Sequence, residues 1–443
     1  MKKLLPFLGL LSILSAGAAR ARTWTESATG KKIEADWVSA DADSVTVSIR
    51  GGRTFTIALD RLSPEDQAFV KQQLAAPPAA APAGKAAAAE DRFDDLGSLT
   101  LEKIPATGEG LPELAGVDEA IRRFMVEKGV GAVTFALSKG GKLLHDRAFG
   151  WAEADLKTPL QPGVRMRVAS MTKPVVQAAV KTLITEGKLK AEDGVFSTLG
   201  LDRHPEAKGC DERWQRVTIQ HLLEHKGGWD RDLSGDFTFN DDIADTFKVK
   251  IDELTPEHVV RYGLRQKFDF EPGERYAYCN YGYILLARVV EKLSGQAFFE
   301  YLGSTVCKQA GITSFSLSRS DARDRQPGEV WYTYHPEYPR RTVPLPFRTE
   351  ARDGAGVLAC TAADYCRFLE HYSVLGNLRR AGGRYRGSFS GSHPGVTAIC
   401  SQREDGINYA VICNRRGQGS ADWNAELRKV VDAELEKVAA QLK

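Results

Sequence analysis

The chain has 443 residues, 42% of them hydrophobic, and its 60 Lys+Arg against 58 Asp+Glu leave a formal charge of +2. With charge this balanced and no basic cluster interleaved with aromatics, the composition argues against a nucleic-acid partner. The 7 cysteines (Cys210, Cys279, Cys307, Cys360, Cys366, Cys400 and Cys413) are not spaced like a small disulfide scaffold, and their odd number leaves at least one free thiol. Buried small residues are the expectation for them, with one disulfide pair left open. No internal repeat of fixed period is visible.

At the N-terminus, Lys2-Lys3 precede an apolar run from Leu4 to Leu14, and Ala16-Gly17-Ala18-Ala19-Arg20-Ala21 offers a small-x-small cleavage site. The run is too short to span a membrane and reads as a signal peptide over 1–21, which predicts a secreted or periplasmic protein. Cleavage removes Lys2, Lys3 and Arg20 and takes the charge from +2 to −1. No cysteine stands at the cleavage site for a lipid anchor, and no later run reaches membrane-spanning length. An uncleaved anchor stays open.

A separate module is expected over 22–74. Arg22-Thr23-Trp24-Thr25-Glu26 opens it, Lys32 to Ser39 and Ser44 to Arg50 read as strands, and Gly51-Gly52 turns the chain into Thr54 to Ala58. Ser63-Pro64-Glu65-Asp66 starts a short helix, with serine at its cap and proline in the first turn. The pattern resembles the small SH3-like β-barrel of the Sla homology family. That resemblance implies a peptide or envelope partner for the module, or a structural appendage without a ligand. Residues 75–91 are mostly alanine with Pro77, Pro78 and Pro82, lack an apolar face, and read as a semi-flexible linker.

Beyond the linker, a helix is predicted from about Pro112 to Lys128. Gly131 to Leu137, a Gly140-Gly141 turn and Lys142 to Trp151 read as a hairpin. The next informative stretch is Ser170-Met171-Thr172-Lys173-Pro174. Val176, Ala179, Val180, Leu183 and Ile184 recur after it at helical spacing, and Gly187 supplies a stop. Proline is tolerated only in a helix's first turn, so Pro174 marks where the helix begins. Ser170 and Lys173 then share a face at the positive end of the helix dipole. A lysine held there, partly desolvated, can take a proton from the serine.

His221-Leu222-Leu223-Glu224-His225 matches the H-x-x-E-H pattern of inverted zinc proteases. Thr218 caps that helix, Gly227-Gly228 end it at once, and no convincing third ligand follows, so neither metal nor cofactor is expected. Tyr278-Cys279-Asn280 comes next, after a Pro272-Gly273 turn and before an amphipathic helix that runs from Ile284 to Leu293 and stops at Gly295. A phenol aimed at a serine can shuttle a proton, and a carboxamide can orient a substrate amide or a lysine. The aromatic, helix-poor stretch from Glu329 to Arg352, with Trp331, Tyr332, Tyr334, His335 and Tyr338, is predicted to border the substrate pocket. Phe389-Ser390-Gly391-Ser392-His393-Pro394-Gly395 leads into Val396 to Ser401 and Tyr409 to Cys413, a hairpin turning at Asp405-Gly406. A glycine strand beside a serine lets a substrate reach backbone N–H groups. A final helix starts at about Ala421.

Together these elements predict an α+β fold: one antiparallel sheet flanked by helices, an all-helical lobe from the middle of the chain, and the nucleophile helix between them. The ordered set of Ser170-x-x-Lys173, Tyr278-x-Asn280 and the glycine strand resembles the class C β-lactamase and DD-peptidase superfamily. Leu222 to Gly228 and Gly354 to Asp364 match in order, and the likeness runs from about Phe93 to Lys443, which makes 92–443 the hydrolase domain. The resemblance implies that Ser170 is acylated, with Lys173 as its base assisted by Tyr278, and that Asn280, Phe389, Ser390 and Gly391 bind substrate. It also implies an oxyanion hole from the backbone N–H groups of Ser170 and Ser392, and release of the acyl group by water. Two positions depart from the pattern. Cys279 stands where relatives usually carry serine. Phe389 stands where they carry lysine or histidine, which removes the cation that would pair with a substrate carboxylate. Arg384 and Arg386 are close enough in sequence to substitute. The function expected is that of an exported serine hydrolase acting on a small or short-peptide neutral ester or amide. The alternatives are a D-amino-acid peptidase, DD-carboxypeptidase or β-lactamase, and a non-catalytic binding module, against which the intact Ser170, Lys173, Tyr278 and Asn280 argue.

Overall fold

The computed structural model describes residues 22–40, 44–48, 54–75, 96, 99–320, 325–333, 347–380, 383–417 and 422–442. The expected signal peptide, the Gly51-Gly52 turn, nearly all of the Ala/Pro-rich linker, and Tyr334, His335 and Tyr338 lie outside them. Among the described residues no helix is long and apolar enough to cross a membrane. The chain divides into two units, Met1–Ala86 and Ala87–Lys443.

The first unit is an antiparallel sheet of β1 (Arg22–Thr25), β2 (Lys32–Ala40), β3 (Ser44–Ser48) and β4 (Thr54–Ala58), paired in chain order with a bulge between Trp37 and Ser39. Trp24, Ala35, Val45 and Val47 point to one side and pack with Leu59, Leu62 and Val70, as strand alternation requires. Helix α1 (Pro64–Ala75) starts where the Ser63 hydroxyl accepts the Asp66 amide at 3.2 Å. Asp66 in turn accepts from Arg22 at 2.8 Å and from the Thr25 amide at 2.8 Å, which fastens the helix to β1. Among the described residues this is a four-stranded sheet with one helix; closure into the expected barrel is not shown.

The second unit centres on a six-stranded antiparallel sheet. Its strands are β5 (Ala106–Glu109), β6 (Ala132–Lys139), β7 (Lys142–Gly150), β11 (Gly387–His393), β12 (Val396–Gln402) and β13 (Ile407–Cys413), in the order β11-β12-β13-β6-β7-β5. Helices α2 (Ala115–Lys128) and α6 (Trp423–Val438) pack together on it, and α5 (Ala362–His371) packs against β6 and β13. Every residue of β12 and β13 is buried, which fits the apolar residues on both faces of these strands, with Thr397, Ser401, Gln402 and Asn408 as the buried polar exceptions. Strand β5 adds an edge that the sequence reading left out. A second, small sheet joins β8 (Met166–Arg167), β9 (Ser316–Leu317) and β10 (Leu358–Cys360).

Helix α3 (Thr172–Thr185) buries Val176, Ala179, Val180 and Leu183 against α4 (Asn280–Ser294), whose Tyr281 to Ala287 are all buried. Each fully buried Val or Leu there stabilises the fold by about 1.5–3 kcal/mol. Gly295 closes α4 in the left-handed conformation, at φ 71, which glycine adopts without steric cost. The two helices therefore bring their N-terminal ends together, one carrying Ser170 and Lys173 and the other Tyr278 and Asn280.

Candidate active site

The segment around Ser170 is fastened by three hydrogen bonds. The Val168 amide donates to Leu358 O at 3.0 Å, and the Thr172 hydroxyl donates to Ala169 O at 2.8 Å while accepting the Leu358 amide at 3.0 Å. Ala169, just before the serine, sits at φ 47. An L-residue adopts that left-handed conformation at a cost on the order of 1–2 kcal/mol, so the packing of β10 holds a turn the local sequence would not choose. Gly356 lies behind it, where an added Cβ would stand 3.5 Å from the Ser170 nitrogen. The segment Gly354 to Asp364 thus supports the turn on which Ser170 stands half-exposed.

Above the serine lies a second wall. The Tyr278 hydroxyl is 2.7 Å from Ser170 Oγ, and Lys173 Nζ is 3.5 Å from the same oxygen. Lys173 is 0% exposed; its ammonium donates to Asn280 Oδ1 at 2.7 Å and lies over the rings of Tyr278 (4.7 Å) and Tyr283 (5.4 Å). Of the two neighbours, the phenol is the one at full hydrogen-bond distance.

The same wall holds residues the sequence reading did not assign to it. His225 stacks on the Tyr278 ring at 4.6 Å and 23°, and its Nδ1 accepts the Cys279 amide at 3.1 Å. Burial, and then the charge of Lys173, push the His225 imidazole down to about 3, so it stays neutral near the lysine. The Arg231 guanidinium lies over the Tyr278 ring at 4.4 Å, with its side chain 46% exposed. Asp236 Oδ2 accepts from Asn280 Nδ2 at 2.6 Å, and its Oδ1 accepts the Thr238 amide at 3.1 Å. Arg352, buried between the rings of Phe239 and Phe347, brings Nη2 to 3.7 Å from Asp236. Burial alone would raise the Asp236 carboxyl, but Arg352 and the hydrogen bonds from Thr238 and Asn280 outweigh it and hold the group below its ordinary range.

The third wall is β11. A Cβ on Gly391 would stand 2.0 Å from Val168 O and 3.0 Å from the Ser170 nitrogen, so only glycine lets the strand lie this close to the serine's amide. Phe389 shares the Gly391 face of the strand and packs half-buried against the core; Ser390 is half-buried and Ser392 exposed. Arg384 and Arg386 are both exposed, and Arg386 pairs with Glu404 at 3.5 Å beside the hairpin turn. The structure gives neither arginine a contact with Ser170, Tyr278 or Lys173.

Two further stretches named from the sequence separate here. The helix carrying His221 ends at Leu223, and His221 caps its own first turn through Thr218, while His225 lies beyond it at φ 56. The two histidines therefore do not form a one-turn helical pair. Of the stretch Glu329 to Arg352, the described part divides. Trp331 donates to Trp151 O behind the sheet, Tyr332 donates to Glu329, and Phe347 and Arg352 reach the Asp236 side of the site. All seven cysteines are free, and burial pushes the Cys279 thiol up to about 12. A separate cleft of about 820 Å³, lined by residues such as Arg203, Lys208 and Cys210, contains none of these site residues.

Of the added residues, Asp236 carried a faint local signal, an Asp two residues before a threonine that caps its own turn. Nothing local connects it to Asn280. Chemically, the arrangement offers a serine hydroxyl in contact with a phenol and near a buried lysine, next to a close-packed strand backbone.

Comparison with known proteins follows the same lines. A model described as "Beta-lactamase" matches residues 117–394. Penicillin-binding protein 4* of Bacillus subtilis (strain 168) is 27% identical over 250 residues, covering 53% of this chain and 51% of that protein. The chain thus spans about half the length of that curated relative. Among solved structures, the D-amino acid amidase from Ochrobactrum anthropi SV3 superposes with a TM-score of 0.57 at 19% identity, over 74% of this chain and 99% of its own. EstCE1, a hydrolase with promiscuous acyltransferase activity, superposes with a TM-score of 0.54 at 17% identity, over 72% of this chain and 98% of its own.

Proposed function

The chain belongs to the beta-lactamase family, and from that premise we propose that it is an exported serine hydrolase that forms an acyl-enzyme at Ser170 and acts on a neutral ester or amide. The observation that carries the reading is the contact of Ser170 Oγ with Tyr278 at 2.7 Å and Lys173 at 3.5 Å. In the proposed reaction the Tyr278–Lys173 pair enters the step one proton short, takes the serine proton as Oγ attacks the carbonyl carbon, and leaves it as phenol and ammonium. The developing oxyanion is held by the amides of Ser170 and Ser392. Tyr278 returns the proton to the leaving alcohol or amine, and a water activated by the same pair then releases the acid. No cofactor is needed in this scheme.

Specificity for a neutral substrate is supported by Phe389, which stands on the Gly391 face where a cation would otherwise pair with a carboxylate. Exposed Tyr276 (62%) meets edge-on, at 5.5 Å, the His225 ring that stacks on Tyr278, and it favours an apolar acyl or leaving group. The names of the amidase and of EstCE1 fit amide or ester chemistry. A second reading, a peptidase or β-lactamase acting on a carboxylate-bearing substrate, is favoured by Arg231, whose half-exposed guanidinium beside Tyr278 offers a cation from another wall. The N-terminal unit we read as an SH3-like module that tethers the enzyme to a peptide or envelope partner after export.

The test is steady-state hydrolysis of p-nitrophenyl acetate and butyrate beside nitrocefin. The reading expects turnover of the esters and none of nitrocefin. Turnover of nitrocefin in preference to the esters would favour the second reading, and silence on all three with intact folding would favour a binding role.

A further inference from the structure

Asn280 is engaged at both ends before any substrate arrives. Its Oδ1 accepts from Lys173 Nζ at 2.7 Å and its Nδ2 donates to Asp236 Oδ2 at 2.6 Å. Chemistry leaves no choice of orientation: an ammonium only donates and a carboxylate only accepts, so turning the amide over would break both contacts. Asp236 is itself fixed. Thr238 donates to its Oδ1 from amide and hydroxyl (3.1 and 2.5 Å), and Arg352, 3% exposed on its side chain, faces it at 3.7 Å between two phenylalanine rings. The Nε and Nη1 of Arg352 have no hydrogen-bond partner among the described residues, so the nearby carboxylate is what offsets its buried charge.

We infer that Asp236 is a positioning residue that fixes which way the Asn280 amide faces, so that Oδ1 is committed to Lys173 and the lysine's place at the nucleophile depends on the carboxylate behind it. This rests on the proposed acylation at Ser170. The lysine's flexible four-carbon stem has three donors and many rotamers; a carboxamide locked from behind selects the one that points at Ser170 Oγ. Charge selection of the substrate then falls to Phe389 on β11 and to Arg231 over the Tyr278 ring.

The test compares two p-nitrophenyl esters, one of acetic acid and one of N-acetylglycine, whose acyl group carries an amide. Wild type, Asn280→Ala and Asp236→Asn are assayed as full chains for kcat and KM, with circular dichroism for folding. A carboxamide in place of Asp236 bonds Asn280 in either orientation, which removes the lock. The expectation is that both variants lose kcat by ~10–100-fold on both esters alike, with KM changed by no more than about threefold. Where Asp236→Asn fails to fold because Arg352 is left unpaired, the double variant Asp236→Asn, Arg352→Gln takes its place with the same expectation. A loss in Asp236→Asn confined to the N-acetylglycyl ester, or expressed in KM, would overturn the inference, because the lock would then serve substrate binding and not the lysine. Unchanged kcat in the Asp236 variant would overturn the lock. Ser170→Ala is run in parallel: ester turnover that survives it would sink the acyl-enzyme reading itself.

Discussion

The two walls that face Ser170 are built on opposite plans. The wall of Lys173, Tyr278, Asn280, Asp236 and Arg352 is a buried chain of polar contacts, with Asn280 joined at 2.6–2.7 Å on either side. The wall of β11 lays its backbone against the turn that carries the serine, with Gly391 pressed against Val168 and Phe389 on the same face of the strand. On the proposed function, the difference means that the groups moving protons and the residue that sets the preference for a neutral substrate are carried by separate elements. A change on the polar wall should strike the rate on every substrate. A change on β11 at Phe389 should redirect preference while leaving the proton chemistry in place.

The largest test of that division is Lys173→Met. It removes the buried ammonium and leaves Asn280 Oδ1 unpaired, and we expect kcat for p-nitrophenyl butyrate to drop by about 10³-fold or more, read by steady-state assay. A drop of less than tenfold would mean that Tyr278 works alone and would dissolve the wall as a unit. Next is Gly391→Ala. The added methyl meets Val168 O at 2.0 Å, so the strand must back away from the Ser170 amide, and kcat should fall by about 10²-fold as the oxyanion donors spread. A wild-type rate would show that the strand backbone takes no part.

Phe389→Lys is smaller in rate but sharper in meaning. It returns a cation to β11, and the ratio of kcat/KM for a carboxylate-bearing aryl ester over its neutral counterpart should rise by about tenfold. An unchanged ratio would place substrate choice elsewhere, with Arg231 the next residue to vary. The smallest effect concerns acid. His225 and His393, both buried, are pushed down to about 3 in the fold, against about 6.5 unfolded. Below pH 6.5 the unfolded chain binds protons that the native one does not, so stability is fully present above that pH. It should be lost as pH falls toward 3, by at most about 1.4 kcal/mol per pH unit for each histidine. Thermal melts from pH 7 to 4 should show the midpoint falling, with a shallower slope in His225→Phe; equal slopes would remove the polar wall's histidine from that account.

Much of this was legible in the sequence because it depends on local rules. Pro174 marks the start of α3, Gly295 the end of α4, and the apolar runs on either side of Asp405-Gly406 the last hairpin. Each obeys a backbone constraint that a short window displays. The H-x-x-E-H pattern, set aside in the sequence for want of a third ligand, fails for the complementary reason: its spacing presumes helix, and the helix stops at Leu223, two residues before His225 turns left-handed. Asp236 and Arg352 were invisible because Asp236 lies 44 positions from its partner Asn280, and Arg352 farther still from its own partner Asp236, and only the packing of the fold brings the three together. Arg231 was missed in the same way, with Arg384 and Arg386 preferred for nearness in sequence to Phe389. Nearness along the strand did not translate into nearness to the serine, since both arginines project to solvent.

The most direct test of the account is to stop the reaction of the full chain with p-nitrophenyl acetate in acid and map the protein by peptide mass spectrometry. The account predicts a single acetyl group on the peptide containing Ser170, absent from Ser170→Ala, whose turnover is lost with it. An acetyl group found on another residue, or turnover that survives in Ser170→Ala, would contradict it.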